Sequence, residues 1–273
     1  MALDGRSYST IKVGNGTTVK IEYRDSLPST SALAKECAEG GYPDRYAIFT
    51  EKQSSGQITG SKIREGKYEH GVFISLILRP SFFPAQAGAI GPISIAALTQ
   101  AIESFTSNRI GISWPTDLYC EGVKIGGTQI EGKLNSFTAY EYIIVSFAVR
   151  IDEKYFPPRL KDMVKQVFEK DNNSLGMMMA RAILDRFFNA YLNIRTPEKH
   201  LQYYSKKFML KDVKAKYIQD GKKHSCRIVG INTETHALTV QVSKNRLFDI
   251  NKPSDVIIPR KIKLPQKNQN NKA

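Results

Sequence analysis

The sequence predicts an α/β (α+β) domain, with a mixed central sheet flanked by helices, followed by a small β-barrel. Apolar strand-like runs alternate with helix-like segments over roughly the first 200 residues. After Tyr203 the pattern changes to short strands separated by turns, which is typical of a small barrel. The charge changes in the same region. Residues 195–273 contain 18 Lys and Arg against 6 Asp and Glu, a net charge of +12, whereas residues 1–194 contain 22 against 20.

The elements of the first domain follow from apolar periodicity and from helix-capping residues. Ser29 and Thr30 are N-cap residues in front of good helix formers. The helices are predicted at residues 31–38 and 93–105 and, with an interruption near 171–173, at 160–191; the strands are predicted at 46–50, 72–78, 125–131 and 142–149. A polar, glycine-punctuated loop at 53–67 separates the first two strands, and loops of that length are often functional.

The barrel strands are shorter and more polar. They are predicted at residues 213–218, 225–231, 237–242 and 246–250, with the domain boundary near 201–208. The last residues, 263–273, have almost nothing to bury and are predicted to be a disordered tail.

The composition excludes several classes of protein. No apolar run approaches the roughly 20 residues that a membrane helix needs. Residues 1–20 are polar and glycine-rich, so a secretory signal is not expected. The three cysteines, Cys37, Cys120 and Cys226, are far apart and form no CxxC pair, so we expect no disulfide, no metal site and a cytoplasmic location.

Five short motifs occur in an order that resembles the biotin–protein ligase family. They are Ser29-Thr30-Ser31 at a helix start, Gln53-Ser54-Ser55-Gly56, Ser113-Trp114-Pro115-Thr116-Asp117, Val123-Lys124-Ile125-Gly126-Gly127, and the run from Ser225 to Asn232 followed by Ala237-Leu238. They resemble the family's Ser-Thr-Asn, Gln-x-x-Gly, Lys-Trp-Pro-Asn-Asp, Lys-Leu-Ala-Gly and C-terminal barrel motifs. The resemblance covers residues 21–259. It implies a catalytic domain at 21–203, an SH3-like domain at 204–262, an N-terminal extension at 1–20 and the tail at 263–273.

The resemblance also implies a reaction. A family member joins biotin to AMP from ATP, with Mg²⁺ expected, and then transfers biotin to a lysine of an acceptor (carboxyl-carrier) domain. The first step brings two anions together and therefore requires cations between them. By motif, Lys124 and Asp117 are the catalytic pair. The implied substrate-binding residues are Ser29, Thr30, Gln53, Gly56, Trp114 and Gly127, with the first three near the ureido ring. A homodimer is a second implied association, and a DNA partner is not expected because no helix-turn-helix precedes Ile21.

The sequence departs from the family pattern in the loop that closes over adenylate. Gln57 and Thr59 stand where the family has arginines, whose fork makes bidentate phosphate contacts that neutral side chains do not. Ser113 replaces a phosphate-facing lysine. Lys62 and Arg64 remain in the loop as cations that could compensate.

Alternatives follow from these departures. The protein could be a catalytically impaired acyl- or biotin-binding module, or a lipoate or octanoate ligase. A nucleic-acid-binding role ranks last, because the basic C-terminal strands lack an RNP-type aromatic pattern. Each motif also has a structural explanation: Lys124 as a solvated surface lysine, Ser29 and Thr30 as helix caps, and Trp114 as a core residue.

Overall fold

The structure is a computed structural model that describes residues 6–14, 16–55, 69–82, 84–151 and 175–259. Two of the predicted segments lie outside these ranges: the first half of the helical stretch at 160–174 and the tail at 263–273. Gly56, Lys62 and Arg64 also lie outside the described residues. No described helix has the length and apolarity that crossing a bilayer requires.

Thirteen strands and four helices are present in the described residues. The strands of the first domain are β1 (Arg6–Val13), β2 (Thr17–Arg24), β3 (Tyr46–Gln53), β4 (Glu69–Leu78), β5 (Ile110–Ser113), β6 (Asp117–Cys120), β7 (Val123–Leu134) and β8 (Tyr140–Arg150). The helices are α1 (Thr30–Glu39), α2 (Ile90–Glu103), α3 (Leu175–Tyr191) and α4 (Glu198–Lys207). The C-terminal strands are β9 (Lys214–Gln219), β10 (Lys222–Ile231), β11 (Leu238–Ser243), β12 (Arg246–Ile250) and β13 (Val256–Ile257).

The first domain is built on one eight-stranded mixed sheet in the order β1-β2-β3-β4-β8-β7-β6-β5. Among the strand pairs of the described residues, β2–β3 is the one parallel pair. Helix α1 covers one face through a small cluster that includes Ala34, Ile48 and Ile144. Helices α2 and α3 cover the other face through a larger apolar core that includes Leu98 and Phe187. The predicted α/β fold class, with helices on both sides of a mixed sheet, is therefore confirmed.

Strands β1 and β2 form a hairpin, most of which lies in the stretch at 1–20 that the resemblance assigned to an N-terminal extension. Strands β1 and β2 pair from Arg6↔Arg24 to Val13↔Thr17, and β2 joins the edge of the sheet beside β3. The signal was the alternation of Ile11, Val13, Val19 and Ile21, which are all buried. The turn is anchored to α3, because the Gly14 amide donates to the Asp185 carboxylate at 2.9 Å.

The C-terminal strands form a separate five-stranded antiparallel sheet in the order β12-β11-β10-β9-β13, in the part of the chain where a small barrel of short strands was predicted. The predicted boundary at residues 203/204 falls inside α4, because Leu201 and Tyr204 bury one side of this short amphipathic helix. The Tyr204 hydroxyl donates to the Pro115 carbonyl at 2.8 Å.

The three cysteines are buried, and none of them is in a disulfide among the described residues. Cys120 is fully buried, and burial raises the pKa of its thiol to about 11. At pH 8 only roughly one Cys120 side chain in a thousand would be a thiolate, which is the reactive form. We therefore expect Cys120 to resist a thiol reagent such as DTNB in the native protein and to react after unfolding. Peptide mapping of the labelled protein checks this, and rapid native labelling of Cys120 would contradict its placement.

Candidate functional site

A cleft of about 250 Å³ opens on the α1 face of the large sheet, next to the start of α1. Cross-strand register explains its floor. Ser75 pairs with Ser146 and Ser146 with Gln129; in the next row Phe73 pairs with Ala148, Ala148 with Gly127 and Gly127 with Asp117. The second row runs from a large apolar ring through two small residues to a carboxylate. This arrangement leaves room for a ligand between an apolar wall and a charged end.

Lys124 and Asp117 form an ion pair at the charged end. Lys124 Nζ lies 2.7 Å from Asp117 Oδ1, and the side chains are 21% and 34% exposed, respectively. The β6–β7 register shifts here, because Leu118 pairs with Gly126 while Tyr119 pairs with Lys124. The extra residue, Ile125, is buried in the main core. Such a bulge changes the face of the sheet on which the neighbouring side chain lies. Without it, regular alternation along β7 would place Lys124 on the face opposite the cleft.

The environment of Asp117 favours its neutral form. Burial raises the pKa of its carboxyl, and the Lys124 ammonium opposes this effect. As the pH falls, Asp117 loses its charge, and with it the Lys124 pair, at a higher pH than an ordinary aspartate would. Among the described residues that line the cleft, Lys124 is the one basic side chain, so any anion bound there competes with Asp117 for it.

The other end of the cleft is polar, uncharged and linked by hydrogen bonds. The Gln53 Oε1 atom accepts from the Thr30 amide at 3.0 Å and from the Thr30 hydroxyl at 3.3 Å. The Ser75 hydroxyl donates to Thr30 Oγ1 at 3.0 Å and lies 2.9 Å from Ser146 Oγ. Gln53 Nε2 donates to the Ser55 carbonyl at 2.7 Å. Each bond restricts a polar group that faces the cleft, so this end is pre-organised before any ligand arrives.

Ser29 has the structural role that the sequence offered as an alternative. It is the N-cap of α1, and its hydroxyl accepts from the Ala32 amide at 3.3 Å. The same hydroxyl lies 3.1 Å from that of Ser31. Both serines nevertheless line the cleft, so capping and ligand contact are compatible here.

A glycine is required at position 127 because the backbone of the neighbouring strand leaves no room for a side chain. A Cβ at this position would lie 2.6 Å from the Thr116 carbonyl oxygen and 3.3 Å from Asp117 Oδ1. The Thr128 amide donates to the same Thr116 carbonyl at 2.9 Å. The glycine thus lets β6 and β7 approach closely enough to place Asp117 beside Lys124.

Trp114 does not line this cleft. It is 6% exposed and packs with the C-terminal sheet in a second core that includes Met209 and Leu238. Its indole Nε1 donates to the His236 carbonyl at 3.3 Å. A separate cavity of about 440 Å³ adjoins it at the junction with the C-terminal sheet. The structure therefore gives Trp114 a core position between the two sheets and leaves its predicted substrate contact without support.

Of the predicted site residues in the described ranges, the structure brings six together at the cleft. They are Ser29, Thr30, Gln53, Asp117, Lys124 and Gly127. Sequence reasoning missed Ser75, Gln129 and Ser146, the polar row of the floor. A serine within an apolar strand run was the available signal for Ser75 and Ser146, because a buried hydroxyl needs a partner. Gln129 is exposed and gave no such signal. Gly56, Lys62 and Arg64 belong to the segment that follows Ser55, so the chain enters that segment beside the cleft.

Metal ligation has no independent support in the described residues. No group of three or more His, Cys, Asp and Glu side chains there could hold an ion. Asp117 is the one carboxylate that lines the described part of the cleft, and Lys124 already neutralises it. A Mg²⁺ ion would therefore have to be held mainly by phosphate oxygens of a nucleotide.

The fold and the cleft define a protein with an α/β binding domain and a C-terminal β-domain, suited to a small ligand with a polar head and an anionic end. Residues 23–148 match the biotin/lipoate A/B protein ligase family.

Two sequence relatives are bifunctional ligase/repressor BirA proteins. The Bacillus subtilis protein is 28% identical over 162 residues, which are 58% of this chain and 50% of the relative. The Bacillus spizizenii protein is 25% identical over 174 residues, which are 62% of this chain and 53% of the relative. The chain thus spans about half the length of these relatives. A biotin protein ligase from Aquifex aeolicus, solved in complex with biotin and ATP, has the same fold. Its TM-score is 0.60 at 15% identity, with 88% of this chain and 98% of that chain covered.

Proposed function

We propose that the protein is a divergent biotin–protein ligase, which forms biotinyl-AMP from biotin and ATP and transfers biotin to a lysine of an acceptor protein. The observation that carries the proposal is one cleft with the Lys124–Asp117 pair at one end and the Thr30–Gln53 hydrogen-bond chain at the other. Biotin has matching ends: a carboxylate, and a urea with both donors and an acceptor.

The first of the two steps assigns a defined task to Lys124. A carboxylate oxygen attacks the α-phosphorus of ATP, and the bond to pyrophosphate breaks. The Lys124 ammonium lies between the two anions and lowers their repulsion, while Asp117 fixes its position. In the second step the amine of the acceptor lysine attacks the acyl carbon, and AMP leaves. Phosphate charge beyond the reach of Lys124 requires further cations, for which Lys62 and Arg64, which follow Ser55 in the sequence, are our candidates.

The main alternative is a module that binds biotin or another acyl group without forming adenylate. It is favoured by the single cation in the described cleft lining and by Gln57 and Thr59 in the sequence. A lipoate or octanoate ligase is the other alternative. It is disfavoured because an apolar head would leave the polar end of the cleft without hydrogen-bond partners.

Calorimetry separates these functions. Biotin, octanoate and lipoate are titrated singly, each with and without ATP. A ligase should bind biotin, and ATP should add heat and tighten the apparent affinity as adenylate forms. A binding module should bind biotin with no effect of ATP. Binding of octanoate or lipoate without binding of biotin would contradict the proposal.

We further propose that the acceptor protein docks on a basic face of the C-terminal sheet. This basic face consists of Lys214, Lys216, Lys223 and Arg227, which are exposed on β9 and β10. Lys214 lies directly opposite Arg227, and like charges in such a pair are destabilising. The Asp212 carboxylate lies 4.0 Å from the Arg227 guanidinium and is largely exposed, so it neutralises little of this charge. An acidic partner would relieve this repulsion.

The double variant Lys214→Glu with Lys216→Glu should raise the acceptor KM by about tenfold at low salt, because it reverses charge on the docking face. The effect should shrink at high salt, and adenylate formation should not change. Transfer assays at two salt concentrations measure this. Lys244→Glu with Arg246→Glu, an equal charge change at the β11–β12 turn, is the control. An equal rise in KM for both double variants would refute docking at this face.

A further inference from the structure

Three hydroxyl groups and one side-chain amide beneath the cleft form a chain of hydrogen bonds. Counting the available protons determines which group donates in each of these bonds. Ser146, Ser75, Thr30 and Gln53 are its members, and three of them are buried, with Ser146 half-buried at the cleft surface. A serine or threonine hydroxyl has one proton to donate and two lone pairs, and an amide oxygen has two lone pairs. These limits fix the direction of every bond in the chain.

The count begins at Gln53. Both lone pairs of its Oε1 atom are occupied by the Thr30 amide and the Thr30 hydroxyl. The one hydroxyl proton of Thr30 is therefore used, and Thr30 Oγ1 accepts from Ser75 at 3.0 Å. The one proton of Ser75 is then also used.

The 2.9 Å contact between Ser75 and Ser146 consequently has only one possible donor, which is Ser146. Its single proton points down into the chain. The Ser146 oxygen therefore presents lone pairs, and no proton, to the cleft that it lines.

We propose that Ser146 Oγ is the acceptor that selects a ligand head carrying an N–H donor, and that it thereby distinguishes a cyclic urea from an apolar or oxygen-bearing head. This inference rests on the proposed function, because it concerns the same cleft. An N–H group of the ligand would donate a hydrogen bond to the Ser146 oxygen. A ligand carbonyl oxygen would instead bring its own lone pairs against those of Ser146, which is repulsive. A hydrocarbon or dithiolane head would leave the Ser146 oxygen without a hydrogen-bond partner.

The neighbouring amide completes the match to a urea. Gln53 Nε2 has two hydrogens, and one of them is donated to the Ser55 carbonyl at 2.7 Å. The other remains as a donor for a carbonyl oxygen. One acceptor at Ser146 and one donor at Gln53, in the same end of the cleft, suit a group that has an N–H beside a C=O.

The test is a set of dissociation constants measured by calorimetry on the full chain. The ligands are biotin, two biotin analogues methylated at one or the other ureido nitrogen, and octanoate. The proteins are wild type, Ser146→Ala and Ser94→Ala. Ser94 is a buried serine of α2 that donates to the Ile90 carbonyl and lies away from the cleft, so it controls for loss of a buried hydroxyl. Ser146→Ala leaves the bonds from Ser75 to Thr30 and from Thr30 to Gln53 intact.

Ser146→Ala should weaken biotin binding by about tenfold, which is the usual worth of one neutral hydrogen bond in a partly buried site. Octanoate affinity should change less than twofold, so the octanoate-to-biotin ratio of dissociation constants should fall by about tenfold. The analogue methylated at the nitrogen that faces Ser146 should lose nothing, or gain, because its N–H is already absent. The other analogue should behave like biotin. Ser94→Ala should leave all ratios unchanged.

Because biotin and octanoate are titrated into the same sample, partial loss of folded protein cancels in the ratio. If wild type binds biotin and Ser146→Ala leaves the ratio unchanged, this inference fails and the proposed function stands. If wild type binds octanoate but no biotin, or binds none of the four ligands, both the inference and the proposed function fail.

Discussion

Replacing Lys124 by alanine is expected to lower biotin-dependent exchange of pyrophosphate with ATP by about 100- to 1000-fold. Lys124 is the one basic side chain in the described lining of the cleft, and it is held 2.7 Å from Asp117. Its loss removes the positive charge between carboxylate and α-phosphate. It also leaves the carboxyl of Asp117, whose pKa is already raised by burial, without its opposing ammonium. Biotin should still bind, because the hydrogen-bonded end of the cleft is unchanged.

Lys133→Ala is the matched control. Lys133 lies on the same strand and also forms an ion pair, with Glu141 at 3.0 Å, but both side chains are about half exposed and outside the cleft. Its removal should change exchange less than twofold, since exposed pairs contribute little. Asp117→Asn should retain part of the activity, because it removes the group that positions Lys124 and keeps Lys124 itself. Equal activity of the Lys124 and Lys133 variants would rule out the catalytic role of Lys124.

Gly127→Ala is expected to lower both the free energy of unfolding and the activity. The added Cβ would lie 2.6 Å from the backbone oxygen of Thr116, which cannot move without disturbing the β6–β7 pair. We expect a loss of about 1–3 kcal/mol of stability, as for other overpacked positions. The exchange activity should fall by more than the decrease in the folded fraction accounts for, because the displaced strand carries Asp117. Denaturant unfolding and exchange assays on the folded fraction measure the two effects.

Gly230→Ala supplies the comparison, because a Cβ at Gly230 would meet nothing within 4 Å. It should change the free energy of unfolding by less than about 0.5 kcal/mol. If Gly127→Ala proved as stable and as active as Gly230→Ala, the close approach of β6 and β7 would not be a requirement of the site.

Much of the fold could be predicted from local sequence patterns, because buried strands and amphipathic helices have a characteristic apolar periodicity within a few residues. The strand predicted at 142–149 and the helix predicted at 93–105 lie within one to three residues of their observed ends at β8 (Tyr140–Arg150) and α2 (Ile90–Glu103). Strands β5 and β6 were missed, because each is only four residues long and they are separated by the Trp114-Pro115 turn. The β1–β2 hairpin was hidden by polar residues on its exposed edge.

The sequence predicted most of the residues that line the cleft, but it did not predict how their side chains are oriented. Alternation along β7 puts Lys124 and Gly127 on opposite faces, and only the register shift at Ile125 reverses this for Lys124. A bulge depends on how two strands pair, so it leaves no local signature in one sequence. The direction of the Ser146–Gln53 chain is likewise a property of four segments that meet in space.

The most direct test of the proposed function is exchange of labelled pyrophosphate into ATP by the purified full chain, measured with and without biotin. Exchange requires the reversible formation of an acyl-adenylate and needs no acceptor protein, so it isolates the chemistry assigned to Lys124 and Asp117. The proposed ligase should show exchange that depends on biotin and is not supported by octanoate or lipoate. This exchange should be lost in Lys124→Ala but not in Lys133→Ala. Tight binding of biotin without any biotin-dependent exchange would contradict the proposed function and leave a binding module in its place.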